Sequence, residues 1–272
     1  MTGERQSTVD AGDGSERDGV LAPDAVLVGI DDTDTIDSEL GTGRISRRLG
    51  PHLADGDPDL SFRGSVRQGF LVDPRVPYTT HNSAACLVCG WPTEADLDPI
   101  IERAGRFLED ISADGSDPGL AIGRVASVPG AVSEFGRRAQ QEVVEEREAY
   151  ERAEAAGIFL DEYGGTGEGV IGALGAVGLT ATGETGRFIG YSRIREFEGV
   201  EPVVAIREDS IRVVTPDGTP VREGSIDTGD WIRPDLRDGG PTLEVERVDA
   251  NPGSTIDAGG VDFLWRPTNL DD

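Results

Sequence analysis

Apolar residues fall into short segments of two periods, and these set the expected elements. Ala25-Val-Leu-Val-Gly-Ile30 is an unbroken apolar run of strand length, the pattern of a buried strand. It ends directly in Asp31-Asp32-Thr33-Asp34, after which a polar loop runs to Gly43 and a helix is predicted around Arg44 to Leu53. Phe62 to Val72 alternates enough for a strand. Asp73 to His81 is a loop bracketed by prolines, and Ser83 to Gly90 reads as another buried strand. Helical spacing returns between Ala95 and Ile111, through Leu97, Ile100, Ile101, Ala104, Phe107 and Leu108. Ser112 to Gly130 is rich in Gly and Pro and reads as a connection.

Ala131 to Ala156 is dense in Glu, Ala and Arg and is closed by Gly157, so one long helix is predicted there. A short strand, Ile158 to Leu160, leads into Gly164-Gly165-Thr166-Gly167-Glu168-Gly169, which runs straight into a helix of small residues from Val170 to Gly178. From Phe188 the texture changes to short β-type runs: Phe188 to Arg193, Val203 to Arg207, Ile211 to Val214, Trp231-Ile232 and Leu243 to Val248. Residues 1–24 carry almost nothing apolar and cannot offset their ordering entropy, so a disordered acidic leader is expected, with folding starting at Ala25. The mixed order of strands and helices predicts an α+β chain.

Composition changes this picture in three ways. At 272 residues with 36% hydrophobic content the chain can bury a sizeable core. All 25 basic residues are Arg and none is Lys, which excludes a lysine-bearing phosphate loop, a Schiff-base lysine and a lysine base. Against them stand 52 Asp and Glu, for a formal net charge of -27, a balance that ordinarily argues against nucleic acid. Lysine-free acidity with abundant Gly instead resembles a chain adapted to molar salt, so the charge says little about partners. An RNA reading would need Arg63, Arg67, Arg193 and Arg195 gathered into a basic patch. The N-terminus has no apolar signal core, and Val170 to Leu179 is too short to span a bilayer, so a soluble cytoplasmic protein with no membrane partner is expected.

Four groups of residues could carry chemistry. Asp31, Asp32 and Asp34 leave a buried strand together, a density of carboxylates suited to Mg²⁺ bridging nucleotide phosphates; a solvated acidic loop is the alternative. The loop from Asp73 to Asn82 sets His81 and Asn82 beside hydroxyl groups, and its two prolines suit either a binding loop or an ordinary crossover. The Gly164 to Gly169 loop opening a helix is an anion-cradle arrangement, weak by itself among 38 glycines. Cys86 and Cys89 have metal-ligand spacing but lack a second pair, so a structural reading is preferred and no structural zinc is expected. His52 is read as a partner for a helix C-terminus.

In order, these segments resemble an archaeal family, the isoleucine-tRNA 2-agmatinylcytidine synthetases (TiaS). Its Gly-Ile-Asp-Asp-Thr-Asp signature stands here as Gly29-Ile30-Asp31-Asp32-Thr33-Asp34. Its loop of the type Asn-Pro-Asn-x-Pro-Trp-Lys-Thr-Arg-Gly-Asn is similar to Asp73 to Asn82 with one gap, and its glycine-rich stretch to Gly167 through Gly178. The resemblance spans roughly residues 25–195. It implies a kinase-like N-terminal domain (25–125) that binds ATP and Mg²⁺, then a ferredoxin-like domain (126–199); the short β-type runs themselves predict a β-rich extension (200–272) where the family has an OB-fold and a zinc ribbon. It also implies phosphorylation of the C2 carbonyl of a tRNA cytidine followed by attack of agmatine. On that reading Asp31, Asp32 and Asp34 are catalytic and hold the metal, while Gly29, Thr33, Asn82, Gly167 and Gly169 bind the nucleotide or agmatine.

The chain departs from the family where a phosphorylatable Thr in Gly-Met-Cys-Thr-Thr is replaced by Gly41-Thr42-Gly43-Arg44-Ile45. The family's Lys and Arg in the second loop become Thr79 and His81, and no zinc ribbon can be built from two cysteines. The pattern is that of a short paralogue. Three functions follow: a tRNA cytidine ligase, an ATP-dependent ligase or kinase for a small molecule, or a non-catalytic nucleotide-binding protein.

Overall fold

The structure, a computed structural model, describes residues 19–76, 81–249 and 263–270. The chain first runs β1 (Ala25–Asp31), α1 (Thr42–Asp55), β2 (Ser61–Gly69), β3 (Ser83–Gly90), α2 (Asp98–Ile111), β4 (Gly119–Arg124), α3 (Gly130–Ala139), α4 (Glu146–Ala156), β5 (Phe159–Glu162), α5 (Gly169–Thr180) and β6 (Arg187–Gly190). A β-rich remainder follows: β7 (Gly199–Pro202), α6 (Val203–Glu208), β8 (Arg212–Val214), β9 (Ser225–Gly229), β10 (Asp235–Arg237), β11 (Gly240–Asp249) and β12 (Phe263–Pro267). All the strands join one sheet in the order β5-β4-β1-β3-β2-β6-β10-β11-β12-β9-β7, with β8 beside β11. The result is a mixed α+β fold.

The apolar run of β1 is buried because both of its faces are covered. Ala25 and Leu27 look toward α3, α4 and α5, in a core that also holds Phe135, Ala173, Val177 and Phe188. Val26, Val28 and Ile30 look the other way, into a second core built with Ile45 and Leu49 of α1 and Ile100, Ala104 and Leu108 of α2. The first core continues without a break into Val203, Ile206, Ile232, Leu236 and Leu243, so the β-rich remainder shares it. Position 125, the expected domain boundary, falls between β4 and α3; β4 lies in the sheet, while α3 packs on α5, which in turn covers β1 and β4. Among the described residues no helix is long and apolar enough to cross a membrane.

Several expectations need correction. The long helix over 131–156 is two helices, because the chain turns at Gln140 to Glu145 and sends Val144 into the core. Val203 to Arg207 is the helix α6, not a strand: Pro202 precedes it, and Val203 and Ile206, three apart, share its buried side. Trp231-Ile232 belongs to no strand. β4 lies inside the stretch read as a connection. It was hidden because only Leu120, Ala121 and Ile122 are apolar between two glycines. Packing begins before Ala25, since Val20 is buried and Asp24 pairs with Arg63 at 2.6 Å; residues 1–18 of the expected leader lie outside the described residues.

Candidate functional site

The alternation of β1 aims Asp31. Ala25, Leu27, Gly29 and Asp31 share the face turned to α5, and α5 comes very near because its facing residues are small. A Cβ on Gly29 would overlap the Ala173 carbonyl, and one on Gly172 would overlap the Asp31 carboxylate. Gly29 is therefore a packing residue beneath the site. Asp32 follows with φ +50°, a left-handed conformation that Asp tolerates better than most residues but that still costs about 1 kcal/mol. The Asp117 N–H fixes it by donating to the Asp32 carbonyl at 3.1 Å.

The third carboxylate is tied to α1. Asp34 Oδ1 accepts from the Thr42 N–H at 3.0 Å and from the Thr42 hydroxyl at 2.9 Å, and the buried Thr33 hydroxyl donates to Thr42 Oγ1 at 3.0 Å. Thr33 thus works within the protein, below the site surface.

Asp117, just ahead of β4, was not foreseen from sequence. Its signal was available in the pairing: β4 runs antiparallel to β1 with Asp31 opposite Gly119, so a carboxylate entering β4 lands beside the carboxylates leaving β1. The glycine-rich loop wraps around this residue. Thr166 N–H donates to Asp117 Oδ1, and Gly169 N–H donates to the Asp117 carbonyl at 3.1 Å. Gly165 and Gly167 have φ of +66° and +88°, and a side chain at Gly165 would strike the Asp117 carboxylate. The Thr166 donor of the expected anion cradle is thus spent on the protein's own carboxylate.

Crowding and burial set the ionisation here. Burial pushes Asp31 up to about 7, against a hydrogen bond from the Asp32 backbone, and the charges of Asp32 and Asp34 add to the rise. Asp32 is pushed up to about 6 by burial first and then by Asp117, Asp34 and Glu168. Glu168 is raised by burial, Asp117 and Glu146. A cation placed among them would relieve all three.

These carboxylates border a cleft of about 470 Å³. Asp31, Asp32, Asp34 and Glu168 form one side; Phe70, Leu71, Val76, Val143 and Ile171 form an apolar side; Glu142, Glu145 and Glu146 reach in from the turn between α3 and α4. Asn82 and Gly169 also line it, whereas Gly29, Thr33 and Gly167 do not. Asn82 Nδ2 donates to the Leu71 carbonyl at 2.6 Å and its own carbonyl accepts from the Phe70 N–H, so it clamps the base of the second loop. Residues 77–80 of that loop lie outside the described residues.

Among the described residues no three His, Cys, Asp or Glu side chains are placed to hold one metal ion between them. Mg²⁺ commonly takes one or two carboxylates and completes its shell with phosphate and water. Asp31 and Asp32 fit that lesser demand, their charge being opposed by burial and by each other. Cys86 and Cys89 face opposite cores of β3, and burial pushes both thiols up to about 12. His52 lies in the last turn of α1 with its ring 4.9 Å from that of Phe107.

No protein-family model matches the chain, and no curated protein matches it. Solved structures that share part of its shape include enzymes acting on tRNA. One is a tRNA fluorescent labeling enzyme, 22% identical with a TM-score of 0.48, which covers 57% of this chain and 36% of its own. Another is TiaS, a tRNA agmatidine synthetase, in its apo form, 20% identical with a TM-score of 0.48, covering 57% of this chain and 35% of its own. The complex of TiaS with its tRNA and ATP has a TM-score of 0.48 at 21% identity over the same 57%. The chain spans about a third of the length of these proteins.

Proposed function

We propose that the chain is an ATP- and Mg²⁺-dependent ligase that modifies a tRNA cytidine, phosphorylating the C2 carbonyl oxygen and letting an amine such as agmatine displace the phosphate. The observation that carries this reading is the meeting of Asp31, Asp32, Asp34 and Glu168 along one side of a half-apolar cleft, with the charge of Asp117 also acting on Asp32. Asp31 and Asp32 would hold the cation, and Asp34 keeps Thr42 and the start of α1 against them. Mg²⁺ bound there would neutralise and align the phosphate oxygens. Phe70, Leu71 and Ile171 exclude water from one side of the cleft; Glu142 is paired with Arg138 and Glu145 with Arg147, so Glu146 and Glu168 are the glutamates that would face a cationic amine. The choice of tRNA and agmatine rests on the signature Gly29 to Asp34, and that of the cytoplasm on the sequence pattern, which offers neither an apolar signal core nor a run of membrane length. A small-molecule substrate for the same chemistry is favoured by Glu146 and Glu168 on the cleft, which would serve an amine without RNA.

The test is ATP hydrolysis in molar KCl with Mg²⁺, with and without tRNA and agmatine, for the native chain and Asp31→Asn. Stimulation by tRNA that disappears in the variant supports the ligase. Stimulation by amine alone selects the small-molecule enzyme, and ATP binding without turnover in every mixture overturns both.

A further inference from the structure

Sharing a wall with the acidic cleft at Asp34, Thr42, His81 and Ser83 is a second recess, of about 400 Å³ and opposite character. Six arginines converge on it from separate parts of the chain: Arg44 and Arg47 of α1, Arg67 of β2, Arg187 of β6, Arg195 after β6 and Arg233 before β10. In a chain with 52 acidic and 25 basic residues, an arginine has abundant carboxylates to choose from. Elsewhere Arg138 and Arg237 take two each. Here Arg187 has Asp235 at 3.5 Å, while Arg44, Arg47, Arg67, Arg195 and Arg233 form no ion pair among the described residues.

What holds them is neutral. Arg47 donates to the Gly43 carbonyl at 3.1 Å, Arg67 to Ser83 Oγ at 2.9 Å, Arg195 to the Ile189 carbonyl at 3.2 Å and Arg233 to the Trp231 carbonyl at 3.2 Å. Each guanidinium has five N–H donors, so most stay open to a ligand. Arg195 and Arg233 also stack on the Trp231 ring, 3.9 and 4.3 Å from its centroid, which orients them without cancelling their charge. Burial first, and then Arg47, Arg233 and Arg44, lower the proton affinity of Arg195; burial and Arg187 do the same to Arg67. Such crowding costs stability until an anion relieves it.

We propose that this recess, outside the carboxylate cleft, binds two or more linked phosphates. Planar forks on several sides match phosphate oxygens, and the accumulated charge calls for a polyanion. The same chemistry is offered by a polynucleotide backbone and by a free polyphosphorylated compound. The site stands on its own residues and is independent of the nucleotide reading.

The test is a titration in EDTA, which denies the acidic cleft a bridging cation, with inorganic tripolyphosphate and a short labelled single-stranded RNA as probes. Arg44→Gln with Arg195→Gln is expected to weaken binding about tenfold or more. Arg48→Gln with Arg222→Gln removes the same charge at exposed positions outside the recess and should stay within about twofold. Tripolyphosphate binding at one equivalent at least as tightly as RNA identifies a free polyphosphate. Tighter RNA binding with a steep salt dependence, displaced by tripolyphosphate, identifies a backbone. Equal weakening in the two double variants, or no binding of either probe to the native chain, overturns the proposal. Asp31→Asn should bind both probes as the native chain does, so the outcome is independent of ATP turnover.

Discussion

Thr42 gives both its backbone N–H and its hydroxyl to a single oxygen of Asp34, at 3.0 and 2.9 Å. Gly41, the residue at the N-cap of α1, has no side chain to offer, so this reach from the acidic loop serves as the cap. Thr42→Val removes the hydroxyl and leaves the buried Thr33 hydroxyl without its acceptor. The expected cost is about 1–2 kcal/mol, with Thr42→Ser recovering most of it. Urea unfolding followed by far-UV circular dichroism checks this, and an unchanged midpoint in the valine variant would dismiss the network.

Asp31 is held where its charge is unwelcome in the absence of a cation. Asp31→Asn keeps the shape and removes that conflict, so in EDTA the variant should be as stable as the native chain or more so, by up to about 1 kcal/mol. Native protein should gain several degrees of thermal stability from Mg²⁺ with ATP, and the variant should gain none. Thermal melts with and without the metal and nucleotide decide it.

Gly172 and Gly29 separate function from folding. A methyl on Gly172 meets a side chain, the Asp31 carboxylate, which can swing aside. A methyl on Gly29 meets the backbone of Ala173 and can be admitted only if α5 moves off β1. Gly29→Ala is expected to cost about 1–3 kcal/mol, while Gly172→Ala should cost less and abolish the Mg²⁺-ATP shift. Melting both variants in parallel tests the ordering; the reverse order would mean that the close approach of α5 to Gly29 is not what holds the core.

Arg63 grips Asp24 through two N–H···O bonds of 2.9 and 2.6 Å, and holds its carboxyl below the usual aspartate range. A lowered folded value means that the pair stabilises the protein above about pH 4 and loses this effect as the pH falls through the folded value. Both side chains are partly exposed, so the contribution is under about 1 kcal/mol. The stability gap between native protein and Arg63→Gln should be full near neutrality and close in acid. A gap that widens in acid would contradict the assignment.

Much of the N-terminal framework was legible. Ala25 to Ile30 and Ser83 to Gly90 are apolar runs of strand length with clear ends, and the three aspartates stand at one of those ends, where the structure also places them beside the cleft. What was not legible depends on partners far along the chain. β4 looks like a glycine-rich connection until β1 supplies its neighbour, and Asp117 gains meaning only from the antiparallel register that sets it beside Asp31. The break between α3 and α4 is decided by the burial of Val144, which local helix propensity over Glu, Ala and Arg does not register. Composition gave the acidity of the chain but not its sorting. Of the four arginines considered for a basic patch, Arg67 and Arg195 reach the recess, while Arg63 is paired with Asp24 and Arg193 with Asp209.

The cover of β1 is made late. α5 supplies the surface against which Gly29 and Asp31 pack, yet the ribosome releases it only after most of the other elements of the N-terminal half have emerged. Until then one side of the central strand is open, and closing it is a long-range event of the slow, topology-limited kind. Asp31 meets Gly172 in that same event. Core closure and carboxylate placement therefore depend on the same helix, and a chain that has not buried its first strand has no assembled carboxylate cleft.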